Sequence, residues 1–236
     1  MASFIIVKVP TKKLDPRAIQ MQVNTLSAFK SKQEYRQGTL PDTFRHSDDC
    51  VYFQAGFEYH QELEGLEETY HVKPFNKFQI VFVGDSFIAV ERVQSEDDLE
   101  WIRHFLEDNF IQDVVLEPIP FDERVLRKIA EANPDVFEIE HAPARKGMES
   151  VDKLRYTGRG VTQSKVYQDY GDEPLTKIKV RLNEVTEGVT LAFYKNGKLT
   201  IFRETDPDKL TKVLKIIVDR IVAPYVIQTS YQRRLL

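Results

Sequence analysis

Apolar and polar residues alternate in two short runs joined by a tight turn, and the chain contains this arrangement twice. In the first copy Phe78, Ile80 and Phe82 precede Gly84-Asp85-Ser86, and Ile88 and Val90 follow. In the second, Leu191 and Phe193 precede Asn196-Gly197, and Leu199 and Ile201 follow. An offset of 111 residues carries Phe82 onto Phe193 and Val90 onto Ile201 without a gap. A period of two predicts strands with one buried face. The Gly and Asn-Gly positions predict hairpin turns, with Asn196-Gly197 the strongest two-residue signal in the chain. The match continues into a helix in each copy, with Ser95 and Asp206 at the cap positions. Leu99, Ile102, Leu106 and Phe110 fall at helical spacing in one, and Leu210, Val213, Ile217 and Ile221 in the other. Asp98, three residues after Ser95, predicts a capping box, and Glu96, Asp97 and Asp98 complement the positive end of the helix dipole. Pro224 is expected to end the second helix, with an edge strand over Tyr225 to Thr229.

The remaining elements follow the same signals. Phe4 to Val9 predicts a strand. Asp15-Pro16 predicts an N-cap followed by proline at the first helical position, so Pro16 to about Phe29 is expected to be helical. Lys30 to Asp49 is polar and is expected to be a loop. Cys50 to Tyr59 predicts a strand, and the acidic Glu58 to Glu68 a solvated loop or hairpin tip. Further strands are expected at Val114 to Ile119, Val136 to His141 and Lys177 to Leu182. Between them Asp122 should cap a helix that Asn133-Pro134 stops. Ala142 to Leu175, with little periodicity, is expected to be a long loop.

These elements predict an α+β fold: two pseudo-symmetric strand-helix-strands-helix halves, residues 1–117 and 118–236, forming a mainly antiparallel sheet with helices packed on it as one compact unit. The second sheet face carries Val81, Val83, Phe87, Ala89 and Val93 in one copy and Ala192, Tyr194 and Phe202 in the other. Buried strands commonly look this way, so the helices at Pro16 and Asp122 are expected to cover that face and make three layers.

Leu191 to Phe193, Gly197-Lys198, Leu199 to Ile201 and the cap at Asp206, in this tandem plan, resemble the repeat of the TATA-box-binding-protein family. In that family the uncovered sheet face binds the DNA minor groove, with phenylalanines wedged between base steps. The resemblance implies topology alone. Glu91 and Glu204 fall where that family carries Lys and Arg, so none of its DNA-contacting residues is carried over.

Composition narrows the field. The 236 residues are 42% apolar and 30% charged, as expected of a globular chain with an ample core. Cys50 is the only cysteine, which excludes an intrachain disulfide and suggests a reducing, cytoplasmic setting. The opening segment lacks a basic region and is expected to be a strand and not a signal peptide. No apolar run approaches the ~20 residues of a membrane span. A net charge of −4 argues against general affinity for nucleic acid or anionic lipid.

Candidate chemistry is sparse. His60 and His71 flank Glu58, Glu62, Glu64, Glu67 and Glu68, but without tight ligand spacing on a helix, so a solvated acidic segment is expected. Cys50 with His46 is an unsupported nucleophile pair. Asp85 and Glu91 lack the lysine two residues on that a metal nuclease would need, since Val93 stands there. Gly158-Arg159-Gly160 is too short for a phosphate loop. No metal or cofactor is expected.

The charge distribution is more informative. From His141 to Gln168, Arg145, Lys146, Lys153, Arg155, Arg159 and Lys165 outnumber Glu149 and Asp152, so this segment carries +4 and the rest of the chain −8. Tyr156 and Tyr167 are interleaved, a composition suited to phosphates with an occasional stacked base. A second basic stretch runs from Lys12 to Arg36. The expected function is a non-enzymatic binding or scaffold protein in a protein assembly. It would engage a protein partner or a second copy, or nucleic acid, through Arg145, Lys146, Lys153, Arg155, Tyr156, Arg159 and Lys165, and no membrane. The rival is a metal-dependent nuclease or other hydrolase whose site assembles only in three dimensions.

Overall fold

A computed structural model describes residues 2–9, 15–26, 37–40, 42–47, 49–58, 61–64, 69–72, 74–91, 93, 95–111, 115–132, 135–142, 151–183, 188–202 and 206–225. In chain order the elements are β1 (Ala2–Lys8), α1 (Pro16–Thr25), β2 (Gln37–Thr39), β3 (Arg45–Ser47), β4 (Cys50–Glu58), β5 (Gln61–Glu64), β6 (Thr69–Val72), β7 (Phe75–Val83), β8 (Phe87–Glu91) and α2 (Glu96–Asn109). There follow α3 (Glu123–Ala132), β9 (Val136–His141), β10 (Leu154–Thr157), a 3-10 turn (Val161–Gln163), α4 (Lys165–Tyr170), β11 (Leu175–Leu182), β12 (Val189–Tyr194), β13 (Lys198–Phe202) and α5 (Pro207–Ile217), which runs into a π-helical turn (Val218–Val222). The fold class is α+β, with antiparallel sheets. The chain divides into two compact units, Lys8–Leu116 and Met1–Val7 with Glu117–Leu236.

In the unit Lys8–Leu116 the strand order is β8-β7-β4-β2, with β3 also on β4. β5 and β6 form a separate two-stranded ribbon across the acidic stretch. The loop expected over Lys30 to Asp49 instead contributes β2 and β3, each three residues long and too short for a period to register. Ser95 and Asp98 make the expected capping box: the Asp98 N–H donates to Ser95 Oγ at 3.1 Å and the Ser95 N–H to Asp98 Oδ2 at 3.2 Å. α2 then buries Ile102, Phe105 and Leu106. Its Trp101 and Phe105 stack at 5.0 Å, and Trp101 reaches Phe57 and Phe78 at 4.8 and 5.6 Å.

The other unit has the strand order β10-β9-β11-β12-β13-β1, every neighbour antiparallel. The first strand therefore pairs with β13, Phe4 opposite Leu199. Asp122 caps α3 by accepting the Val125 N–H at 3.0 Å, and Asp206 caps α5 by accepting the Asp208 N–H at 3.0 Å. The 111-residue offset carries the first residue of β8 onto that of β13 and the first residue of α2 onto that of α5. The second hairpin has three loop residues, not two. Gly197 takes φ 84° and donates to the Tyr194 carbonyl at 3.0 Å. A Cβ at Gly197 would stand 2.6 Å from the Ile119 carbonyl oxygen, so both conformation and space demand glycine.

Three expectations are corrected here. Val114 to Ile119 is not a strand in its described part: it makes a single bridge, Pro118 to Val7. Pro224 does not end the last helix, because the π turn before it accommodates the ring and the helix continues to Tyr225. The proposed edge strand otherwise lies outside the described residues.

The third correction concerns the layers. In the larger unit Phe121 of the α3 approach packs edge-on against Phe193 at 5.3 Å, and Phe193 lies on the face that α5 also covers. In the other unit the Thr39 hydroxyl donates to the Val23 carbonyl of α1, and Thr39 shares its face with Ala55 and Phe78, the face that α2 packs on. α1 with α2, and α3 with α5, thus each lie on one side of their own unit's sheet. The expected face does hold the core: Phe78, Ile80, Phe82, Ile88, Val90, Leu191, Phe193, Leu199 and Ile201 are all buried. Within this unit, the described helix contacts fall on the side of Phe193 and His141, opposite the second face of the β10-β9-β11-β12-β13-β1 sheet.

Candidate functional site

That second face carries its charges through the alternation of side chains along its strands. β11 buries Ile178, Val180 and Leu182 toward the helices and turns Lys177, Lys179 and Arg181 the other way. Register places Glu140 opposite Lys177 and Glu138 opposite Lys179 on β9, and Arg155 opposite Glu140 on β10. On the other side Tyr194 and Ala192 of β12 face Lys177 and Lys179, and Lys198, Thr200 and Phe202 continue the face on β13. Among the described residues, six cations (Lys153, Arg155, Lys177, Lys179, Arg181, Lys198) therefore share the face with two acids, Glu138 and Glu140.

The acids lie beneath the cations. Glu138 is 3% exposed and holds Lys177 Nζ at 2.6 Å, Lys179 Nζ at 2.9 Å and Arg155 Nη2 at 2.6 Å. Burial alone would raise its carboxyl, but the hydrogen bonds from Lys177, Lys179 and Arg155 outweigh burial and lower it to about 2. Glu140 receives Lys153 Nζ at 3.1 Å and the Thr176 hydroxyl at 3.3 Å. Lys153 and Arg155 remain about half exposed at 58% and 52%, and Arg181 and Lys198 are exposed. The outward charge of the face is therefore positive. Its two aromatic rings already act as cation platforms: Lys177 and Lys198 lie 5.5 and 5.8 Å from the Tyr194 centroid, and Lys179 lies 5.3 Å from that of Phe202.

The residues expected from sequence to form one basic loop are divided by the fold. Lys153 immediately precedes β10 and Arg155 lies within it, and both join the face. Tyr156, the next residue along, points to the helix side and packs on His141 at 5.7 Å. Arg159 is exposed in the turn after β10, and Lys165 is exposed at the start of α4. Arg145 and Lys146 lie outside the described residues. The long loop expected over Ala142 to Leu175 is thus corrected in its described part to a strand, a 3-10 turn and a short helix.

Lys177, Lys179, Arg181, Lys198, Glu138 and Glu140 are not among the candidate site residues that the sequence suggests. The signal that could have found them is the alternation Lys177-Ile178-Lys179-Val180-Arg181 beside Glu138-Ile139-Glu140, two strands of matched opposite charge.

Among the described residues no histidine gathers with a cluster of carboxylates, and His60 lies outside them. His104 lies 3.6 Å from Glu100 on the exposed side of α2. His141 is fully buried, its Nδ1–H donating to the Glu173 carbonyl at 2.7 Å, and burial pushes its pKa down. Its Nε2 has no hydrogen-bond partner among the described residues. Among the described residues no group of three or more His, Cys, Asp or Glu is placed to hold a metal ion, and no helix is long and apolar enough to cross a membrane. No protein-family model matches the chain, and no curated protein is significantly similar to it.

Proposed function

We propose that this is a non-enzymatic binding protein that engages the phosphate backbone of nucleic acid through the basic face of the β10-β9-β11-β12-β13-β1 sheet, as part of a protein assembly in a reducing, cytoplasmic compartment. The observation that carries the reading is the layering of charge on that face. Glu138 and Glu140 are sunk under the cations, so an approaching phosphate meets Lys153, Arg155, Arg181 and Lys198 first. Glu138 meanwhile holds Lys177 and Lys179 in place, and so reduces the entropy lost when they meet a ligand. Tyr194 and Phe202 add ring faces among the cations, which suits stacking on unpaired bases. A strand-built face with cations at alternate positions also suits an extended backbone better than a compact anion. The likeness of the tandem plan to the TATA-box-binding-protein repeat enters this proposal as topology only. Here the charges come from side chains particular to this chain.

The test is fluorescence anisotropy of labelled single-stranded and duplex oligonucleotides across a salt series. Arg181→Ala with Lys198→Ala should weaken binding to all sequences alike. It should also flatten the plot of log affinity against log salt by about two contacts, near 0.7 each on single strands and 0.9 on duplex. Absence of binding by the wild type at low salt overturns the reading.

A further inference from the structure

We propose that residues 158–173 form a strap that closes over His141 and opens when its imidazole takes up a proton. The strap leaves β10 at Gly158, makes the 3-10 turn and α4, and rejoins the sheet ahead of Leu175 at the start of β11. β10 and β11 lie on either side of β9, so the chain must cross β9 between them. It crosses on the helix side, where Tyr167 of α4 stands 6.3 Å from the His141 ring. His141, the last residue of β9, has Leu154 of β10 and Leu175 of β11 as its register partners.

Little holds the strap down. Val161 is the only buried residue from Gly158 to Asp172, and α4 buries none of its six residues. A helix this short has no stability of its own. Segments with few buried apolar contacts open before the rest of a fold. Gly158 and Gly160 take φ 151° and 61° where the strap departs, conformations that residues with a Cβ enter at a cost. A Cβ at Gly158 would meet no described atom within 4 Å, so glycine serves the bend there and not close packing.

The far end is tied to His141 and to Arg127 of α3. The imidazole Nδ1–H donates to the Glu173 carbonyl at 2.7 Å. Arg127 donates to the carbonyls of Gly171 and of Glu173, the latter at 3.3 Å, while paired with Glu123.

A closed strap and a charged imidazole oppose each other. His141 Nε2 is buried with no hydrogen-bond partner among the described residues. A proton there would put a charged donor between the Tyr156 and Tyr167 rings, at 5.7 and 6.3 Å. The other titratable groups that face it are Glu173 in the strap and Arg127 and Glu123 on α3. Burial acts most strongly and lowers the pKa, and Arg127 adds to it. The bond to the Glu173 carbonyl and the two carboxylates pull the other way, and the net direction is down. Burial is what opening removes. The open form therefore binds the proton better, so closure is favoured above pH 6.5 and weakens as pH falls below it.

Amide hydrogen exchange of the full chain between about pH 7.5 and 5.5, corrected for intrinsic rates, tests this. The Gln168 and Glu173 N–H groups donate to the Ser164 and Tyr170 carbonyls and report the strap. Both should be less protected than Leu191 and Phe193 in β12, which has a partner strand on each side. Strap opening should rise by up to about tenfold per pH unit below 6.5, the limit for one proton. His141→Asn, which cannot titrate, should remove that dependence. Tyr167→Ala loosens the strap, and by reciprocity His141, followed by its NMR shifts, should then titrate closer to 6.5 than in the wild type. Strap protection equal to that of β12 overturns the proposal, as does strap exchange that ignores pH in the wild type. So does an unchanged pH slope in His141→Asn, or a His141 titration that Tyr167→Ala leaves unmoved.

Discussion

Lys177 Nζ and Glu138 Oε1 lie 2.6 Å apart across 39 residues of sequence, and the pair is nearly closed to water. Glu138 also holds Lys179 and Arg155, so one carboxylate joins three strands at a single point. The same ion cluster that organises the basic face therefore contributes to the fold.

This sets an acid limit on stability. The Glu138 carboxyl falls from its ordinary 4.5 to about 2 in the folded chain. The folded state then binds fewer protons than the unfolded one, so the stabilisation is full above pH 4.5 and is lost as pH falls toward 2. The shift corresponds to roughly 3 kcal/mol. Glu138→Gln should cost ~3–5 kcal/mol at pH 7, because it strips a buried lysine of its counter-charge. It should also remove most of the acid dependence between pH 4.5 and 2. Urea unfolding at several pH values measures both, and an unchanged acid slope in the variant would show that another group controls it.

A second pH window belongs to His141. Burial favours its neutral form, so its folded pKa lies below the ordinary 6.5. The sign is that of a depressed base: stability is full above pH 6.5 and declines as pH falls below it, since the unfolded chain takes up the proton first. His141→Asn keeps a donor near the Nδ1 position for the Glu173 carbonyl and cannot titrate. Its unfolding midpoint should be flat between pH 7.5 and 5.5, where that of the wild type falls.

Phe82 and Phe193 occupy equivalent strand positions and are 1% and 0% exposed. Either one changed to Ala should destabilise by ~3–5 kcal/mol through lost burial and a residual cavity. Chemical denaturation checks this, and a loss under about 1 kcal/mol would contradict the observed packing.

The caps are weaker but independent of the core. Ser95→Ala and Asp206→Ala each remove an acceptor from an otherwise unpaired helix N–H and should cost ~0.5–2 kcal/mol. Asp98→Ala should cost at least as much as Ser95→Ala. Asp98 supplies the other half of the capping box and also accepts the Asn76 amide at 2.8 Å. Thermal midpoints of the three variants give the comparison.

What the sequence determined by itself is what neighbouring residues settle among themselves. Asp15-Pro16, Ser95 with Asp98, Asp122 and Asp206 mark helix starts, because a cap is a contact over three or four residues. Alternation marked the core faces of β7, β8, β12 and β13, because side-chain direction repeats every second residue. β2, β3 and β10 escaped notice because three or four residues do not establish a period, and their strand character comes from a partner pairing with them. A local rule reads Pro224 as a stop because it knows only the α-helical turn; the π turn ahead of it absorbs the ring. The basic face was the least legible part. Lys153 and Arg155 could be picked out by charge, but Glu138 joins Arg155, Lys177 and Lys179 only because β9 pairs with β10 on one side and β11 on the other. Such pairing is selected by burying Ile139, Ile178 and Val180 together on the reverse of the strands, a cooperative choice made by the whole sheet.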